Sequence, residues 1–159
     1  MLDACPKGTK IYLYSRLARG ARDPPSLLKK LGRYNLILLQ DPKQMNSGHW
    51  TSLTLDGRRG LAYFFSSYGG KPDEEKVKWI THKQLKESGQ LPNILNDLLK
   101  YLFLRGWAVY YNDFPYQIEG DDTASCGIWT SAFLNSGKNP DEFAAKHEPP
   151  SYYYKRLFH

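Results

Sequence analysis

Cysteine is scarce in this sequence: Cys5 and Cys126 are the two in 159 residues. Two thiols cannot build a disulfide framework, and no zinc-binding spacing accompanies them. Long hydrophobic runs are lacking as well. No stretch approaches the roughly 20 apolar residues that a membrane-spanning helix requires. The first twenty residues, MLDACPKGTKIYLYSRLARG, contain no apolar core followed by a small-residue cleavage site. Internal repeats and nucleic-acid-binding motifs are also missing. These absences argue against a stapled secreted mini-domain, a zinc module and a membrane protein. They predict an intracellular chain in a reducing compartment, where a free thiol persists.

What is present is the composition of a globular domain, 41% hydrophobic and 24% charged, on a chain long enough to bury its own core. Twelve tyrosines are read mainly as core residues with satisfied hydroxyls. The net charge of +6 includes basic clusters at Arg16, Arg19 and Arg22 and at Lys29, Lys30 and Arg33. Such a face attracts polyanions in a salt-dependent way. With no motif beside it, a solvated basic surface is the favoured account, and nucleic-acid contact is the alternative.

Local signals divide the chain. Pro24, Pro25 and Gly32 bracket a short helix over 25–31. NLILLQ, residues 35–40, has the length and apolarity of a buried central strand. After the polar loop DPKQMNSG, HWTSLTLD alternates as a half-buried strand, and Asp56-Gly57 turns it into the returning strand GLAYFFSS. YGGKPDEEKVKW, residues 68–79, is broken by Gly69, Gly70 and Pro72 and reads as a loop. Leu91, Ile94, Leu95, Leu98, Leu99 and Leu102 fall at helical spacing before Gly106. WAVYYN, 107–112, predicts another strand, and CGIWTSAFLNSG, 126–137, a helix closed by Gly137. The tail EPPSYYYKRLFH gives no assignment. One α+β domain over 1–159 follows, a small, mainly antiparallel sheet flanked by helices.

The segment DDTASCGIW, 121–129, places Cys126 at the first turn of that last helix. Unpaired N–H groups and the positive dipole end favour a thiolate there. A buried free cysteine is also, more plainly, a small hydrophobe. Among four histidines, His49 is the best-placed base. It follows a glycine-containing loop and begins a strand, which predicts a ring at the sheet edge. His82 lies in a charged surface stretch, and His147 and His159 belong to the tail. Gln117 sits between WAVYYN and the cysteine helix, where its amide can join the Cys126 N–H in holding an oxyanion.

GHW (48–50), YFFSSYGG (63–70), YNDFPYQ (111–117) and SCGIW (125–129), in that order, resemble the adenovirus-proteinase and SUMO-protease clan of cysteine peptidases. The likeness spans about residues 35–136 and is nearest to the viral maturation protease branch. It implies a papain-like fold of the adenain type. It also implies Cys126 as nucleophile, His49 as general base and Gln117 as oxyanion donor. Trp50 would wall a narrow substrate channel, with Ser125 and Gly127 beside the nucleophile. The implied substrates are viral polyproteins or capsid precursors cut at Gly-Gly or Gly-x-Gly sites. Removal of ubiquitin or a ubiquitin-like protein is the alternative within the clan. Such enzymes require no metal, although DNA or an activating peptide serves as cofactor in the adenovirus case, and they act in the host cytoplasm, the nucleus or the virion.

One position departs from the clan: Ser66 stands where the acid is expected. A serine hydroxyl orients a histidine but does not stabilise an imidazolium as a carboxylate does. Three outcomes remain open. Ser66 is a weak third member, another acid such as Asp56 or Asp113 substitutes, or the chain is a catalytically impaired binding module.

Overall fold

Every residue from Asn35 to Gln40 is buried, so β2 (Tyr34–Asp41) is covered on both faces, as an apolar run of strand length predicts. It lies in a six-stranded sheet of order β1-β2-β3-β4-β5-β6 in a computed structural model of the chain. The structure describes residues 5–21, 23–116, 130, 134 and 154–158. Gln117, Ser125, Cys126, Gly127, the helix predicted over 126–137, Arg22, His147 and His159 lie outside the described residues.

The remaining strands are β1 (Lys10–Leu13), β3 (Gln44–Asp56), β4 (Leu61–Ser66), β5 (Ala108–Asn112) and β6 (Tyr154–Arg156). The described helices are α1 (Tyr14–Gly20), α2 (Pro24–Lys30), α3 (Glu74–Trp79), α4 (His82–Glu87) and α5 (Ile94–Leu104). The α+β class is as expected. The sheet is mixed: β1 and β4 run parallel to β2 and β5 respectively, and the other pairings are antiparallel. Each parallel pairing follows from a helical connection between the two strands, since a tight turn cannot reverse the chain twice.

Alternation along the strands sends side chains to two layers. Ile37, Leu53, Phe64 and Val109 pack with Leu17, Leu27 and the buried stripe Ile94, Leu95, Leu98, Leu99 and Leu102 of α5. That stripe recurs at the spacing the sequence shows, and the helix ends where Gly106 takes φ 93°. On the other face, Leu36, Tyr63 and Phe65 pack with Leu134, and half-buried Trp50 joins them.

Two expectations change. The segment 68–79 is not loop throughout, because α3 occupies its second half. His49 is not at a sheet edge; it lies within β3, in the interior of the sheet, and its side chain is 6% exposed. The tail contributes β6, which pairs with β5.

Candidate active site

Strand β3 carries His49 two residues before Thr51, which pairs with Ser66, the last residue of β4. The imidazole therefore stands just past the end of β4, where the chain is released toward α3. Gly48 fixes the approach to it. A β-carbon at Gly48 would collide with the Leu39 carbonyl oxygen, so only glycine lets the two strands close here. The pairing register slips between Gln40 and Asp41 at this point. Buried Gln40 holds the slipped segment. Its side chain donates to Met45 O and accepts from Ser15 N, while its backbone exchanges hydrogen bonds with the Gln90 amide.

A carboxylate from α3 reaches the position where the sequence motif shows serine. Glu75 Oε2 lies 3.1 Å from His49 Nε2, and both side chains are buried. Ser66 Oγ donates to Glu75 Oε1 at 2.5 Å and lies 2.9 Å from His49 Nε2. Gly70 N donates to Glu75 Oε1 at 3.0 Å, and a β-carbon at Gly70 would overlap that carboxyl group. Ser66 is thus part of the site, although it does not stand in for a carboxylate: it braces one. A buried carboxylate needs such donors, each charge-assisted bond contributing about 1.5–3 kcal/mol.

The proton assignment follows. The Ser66 and Gly70 hydrogens both point at Glu75, so the bond between ring and carboxylate requires the proton on His49 Nε2. The lone pair of the neutral ring is then on Nδ1. Tyr68 and Trp79 pack against the imidazole at centroid distances of 4.6 and 5.4 Å.

The other proposed acids are occupied elsewhere. Asp56 faces Arg33 and Arg59 at the far end of the hairpin. Asp113 bonds the Tyr111 hydroxyl, which burial and that carboxylate push above its ordinary pKa. Trp50, expected beside the histidine, projects to the opposite face of β3, where its carbonyl accepts from Thr130 Oγ1 at 3.3 Å. Asn112 joins the ends of β4 and β5, donating to Ser66 O at 2.7 Å and to Phe114 O at 2.8 Å. This ties the chain leaving β5 to the end of β4.

Beneath Glu75, α3 is held by a second polar cluster. Lys76 Nζ, 1% exposed, donates to the carbonyls of Gln90, Leu91 and Pro92 at 2.9, 3.2 and 2.7 Å. Tyr14 Oη lies 2.6 Å from both Asp73 Oδ1 and Pro92 O, and 3.1 Å from Lys76 Nζ. Asp73 Oδ2 accepts from Asn96 N at 2.8 Å. Burial raises the Asp73 pKa despite the nearby Lys76 charge, and burial lowers that of Lys76 despite Asp73. Tyr14 is pushed upward by burial and then by Asp73.

Among the described residues, no group of three or more His, Cys, Asp or Glu side chains is placed to hold a metal ion. No described helix is long and apolar enough to cross a membrane. Arg16, Arg19, Lys29, Lys30 and Arg33 are all exposed.

No protein-family model matches the chain, and no solved structure matches it. The chain is similar to the uncharacterized protein V9 of Sputnik virophage, with 35% identity over 100 residues. The match covers 62% of this chain and 54% of the virophage protein, so the chain spans about half the length of that relative.

Proposed function

We propose that the chain is a cysteine peptidase of the adenain type, with a papain-like fold, in which Cys126 is the nucleophile, His49 the base and Glu75 the acid that orients it. The observation that carries this is the buried His49–Glu75 pair, 3.1 Å apart, which commits Nε2 and gives Nδ1 the lone pair. Thr130 supplies a supporting restraint. Its hydroxyl reaches the carbonyl of Trp50, the residue after His49, and Cys126 is four residues earlier in the chain. Four residues span at most about 14 Å, a reach compatible with a thiol beside the imidazole.

His49 Nδ1 takes the thiol proton, and the thiolate adds to the substrate carbonyl carbon. Gln117 and the Cys126 N–H donate to the resulting oxyanion. The C–N bond then breaks, with the imidazolium returning its proton to the leaving amine. Water, deprotonated by the same nitrogen, hydrolyses the thioester and regenerates the thiol. Glu75 stabilises the imidazolium throughout. The binding-module alternative rested on the lack of a carboxylate at Ser66, and Glu75 removes its motive. The substrate class is a polypeptide with a glycine-containing site, viral in origin, as the virophage relative suggests.

The test is the alkylation rate of Cys126 against pH. An ordinary thiol gains reactivity near pH ~8.5, whereas a thiolate–imidazolium pair stays reactive several units lower. Low-pH reactivity in the wild type that disappears in both His49→Ala and Glu75→Gln is the expected result. An ordinary curve in all three proteins would overturn the reading. Glycine-ended ubiquitin-like probes set against short Gly-x-Gly peptides then separate an isopeptidase from a maturation protease.

A further inference from the structure

The His49 ring forms one wall of a pocket of about 300 Å³ that the catalytic proposal leaves unused. Leu39, Pro42, Ile80, Tyr68 and Trp79 form apolar and aromatic walls, and Asp41 contributes a carboxylate. Trp79 is 39% exposed at the end of a six-residue helix, and its indole meets Tyr68 edge-on at 5.0 Å. An indole held half out of water by two aromatic neighbours forms a contact wall rather than core filling. Asp41 is exposed; its Oδ1 accepts from Lys43 N at 2.9 Å, and among the described residues no cation pairs with it.

The pocket and the attachment point of Thr130 fall on different sides of His49 along β3. Thr130, four residues past Cys126, attaches at the Trp50 carbonyl, on one side of His49 along β3. The pocket lies on the other side, at Gly48 and the facing residues Leu39 to Pro42. The imidazole, which protonates the leaving amine, stands between the two.

We infer that this pocket binds the substrate residue on the leaving-amine side of the scissile bond, and that this residue is lysine or arginine. The inference rests on the peptidase reading. A long basic side chain matches each feature of the lining. Its methylenes cover Leu39, Pro42 and Ile80, its cation lies against the Tyr68 and Trp79 rings, and its charge meets Asp41. Glu75 offsets the imidazolium charge nearby. An apolar side chain would use the walls and leave Asp41 without a role.

The test measures binding rather than turnover. The full chain carrying Cys126→Ala is titrated with short fluorescent peptides that begin with lysine, norleucine or glutamate and stand for the leaving half of the substrate. The lysine peptide is expected to bind about fivefold more tightly than the norleucine peptide, and the glutamate peptide weakest. Asp41→Asn, a surface change, is expected to remove most of the lysine preference. Trp79→Ala weakens the lysine and norleucine peptides alike. Equal binding of lysine and norleucine, or a preference for lysine that survives Asp41→Asn, would overturn the inference, the first result pointing to an apolar occupant. Indifference to the first residue would remove the pocket from substrate binding altogether. A retained lysine preference beside an ordinary thiol curve would strike the peptidase reading and with it the scissile-bond assignment, leaving the pocket as a site for a basic side chain. The reverse pattern would strike the pocket alone.

Discussion

Glu75 and Lys76 are adjacent in the chain and both buried, yet they hold charge in different ways. Glu75 faces a histidine, a base with two accessible protonation states, beside a pocket that opens to solvent. Lys76 faces three backbone carbonyls that cannot titrate, and both it and Asp73 are pushed toward their neutral forms by burial. With Lys76 and Asp73 both charged, the three ammonium protons and the Tyr14 hydroxyl proton match four acceptors in the second cluster, the three carbonyls and Asp73 Oδ1. The first cluster sets a carboxylate against an imidazole, and the second ties side chains to fixed backbone carbonyls. A six-residue helix with exposed Val77 and Trp79 has little apolar grip of its own, so the second cluster fixes the backbone from which Glu75 reaches the imidazole.

Breaking the rigid side has the largest expected effect. Lys76→Met keeps the length of the side chain but leaves the carbonyls of Gln90, Leu91 and Pro92 without their donor. The expected loss is about 3–5 kcal/mol of unfolding free energy, read by urea denaturation. A loss below about 1 kcal/mol would mean that Pro72 and Ile80, buried on either side of α3, anchor the helix without the lysine.

The open side responds in the opposite proportion. Glu75→Gln preserves shape and loses the charge, so about 1–3 kcal/mol of stability is expected to go while low-pH thiol reactivity disappears. Ser66→Ala sharpens the contrast because it leaves the carboxylate facing the imidazole. Its expected cost is about 1 kcal/mol, with low-pH reactivity largely retained. If the two variants abolished that reactivity equally, the serine would rank with the glutamate in supporting the imidazolium.

The difference between these clusters also explains what could be read from the sequence. The stripe from Ile94 to Leu102, the apolar run from Leu36 to Gln40 and the turn at Asp56-Gly57 are local patterns that the structure keeps, whereas Leu91 lies before α5 and packs with Leu39, Ile80 and Leu85. His49 was singled out from its neighbours as a candidate base, and Ser66 from its place before Ser67 and Tyr68. Glu75 was not. Its helix is six residues long and lacks an apolar stripe. It begins after Asp73, a non-glycine residue at φ 65° whose side chain caps nothing locally and reaches Asn96 instead. The available signal was weak: two acids at a first helical turn, four and five residues after Gly70, whose lack of a side chain lets a carboxylate come close. Which acid meets the histidine is set by contacts between distant segments, among them Tyr14 to Asp73, and no local pattern encodes these.

The smallest expected effect tests whether Lys76 and Asp73 act as an ion pair or as a sealed polar cluster. Their charged atoms are 4.0 Å apart, the outer limit for a pair. The raised Asp73 pKa means that the native state retains its proton over a pH interval where the unfolded chain, with a carboxyl near ~3.9, has released it. Stability from this group is therefore complete below the unfolded value and declines as pH rises through the native one. Asparagine has no proton to retain. The penalty of Asp73→Asn is thus expected to be largest near pH 4 and to shrink toward pH 7, measured as the difference between parallel denaturation series. Lys76 behaves in the opposite sense: its lowered pKa makes stability rise with pH between its native value and ~10.4. Removing Asp73 takes away the charge that holds Lys76 protonated, so in the variant this rise begins at lower pH. A penalty that grew from pH 4 to pH 7 would mean that the lysine stabilises an aspartate anion, and α3 would then be held by charge rather than by matched donors and acceptors.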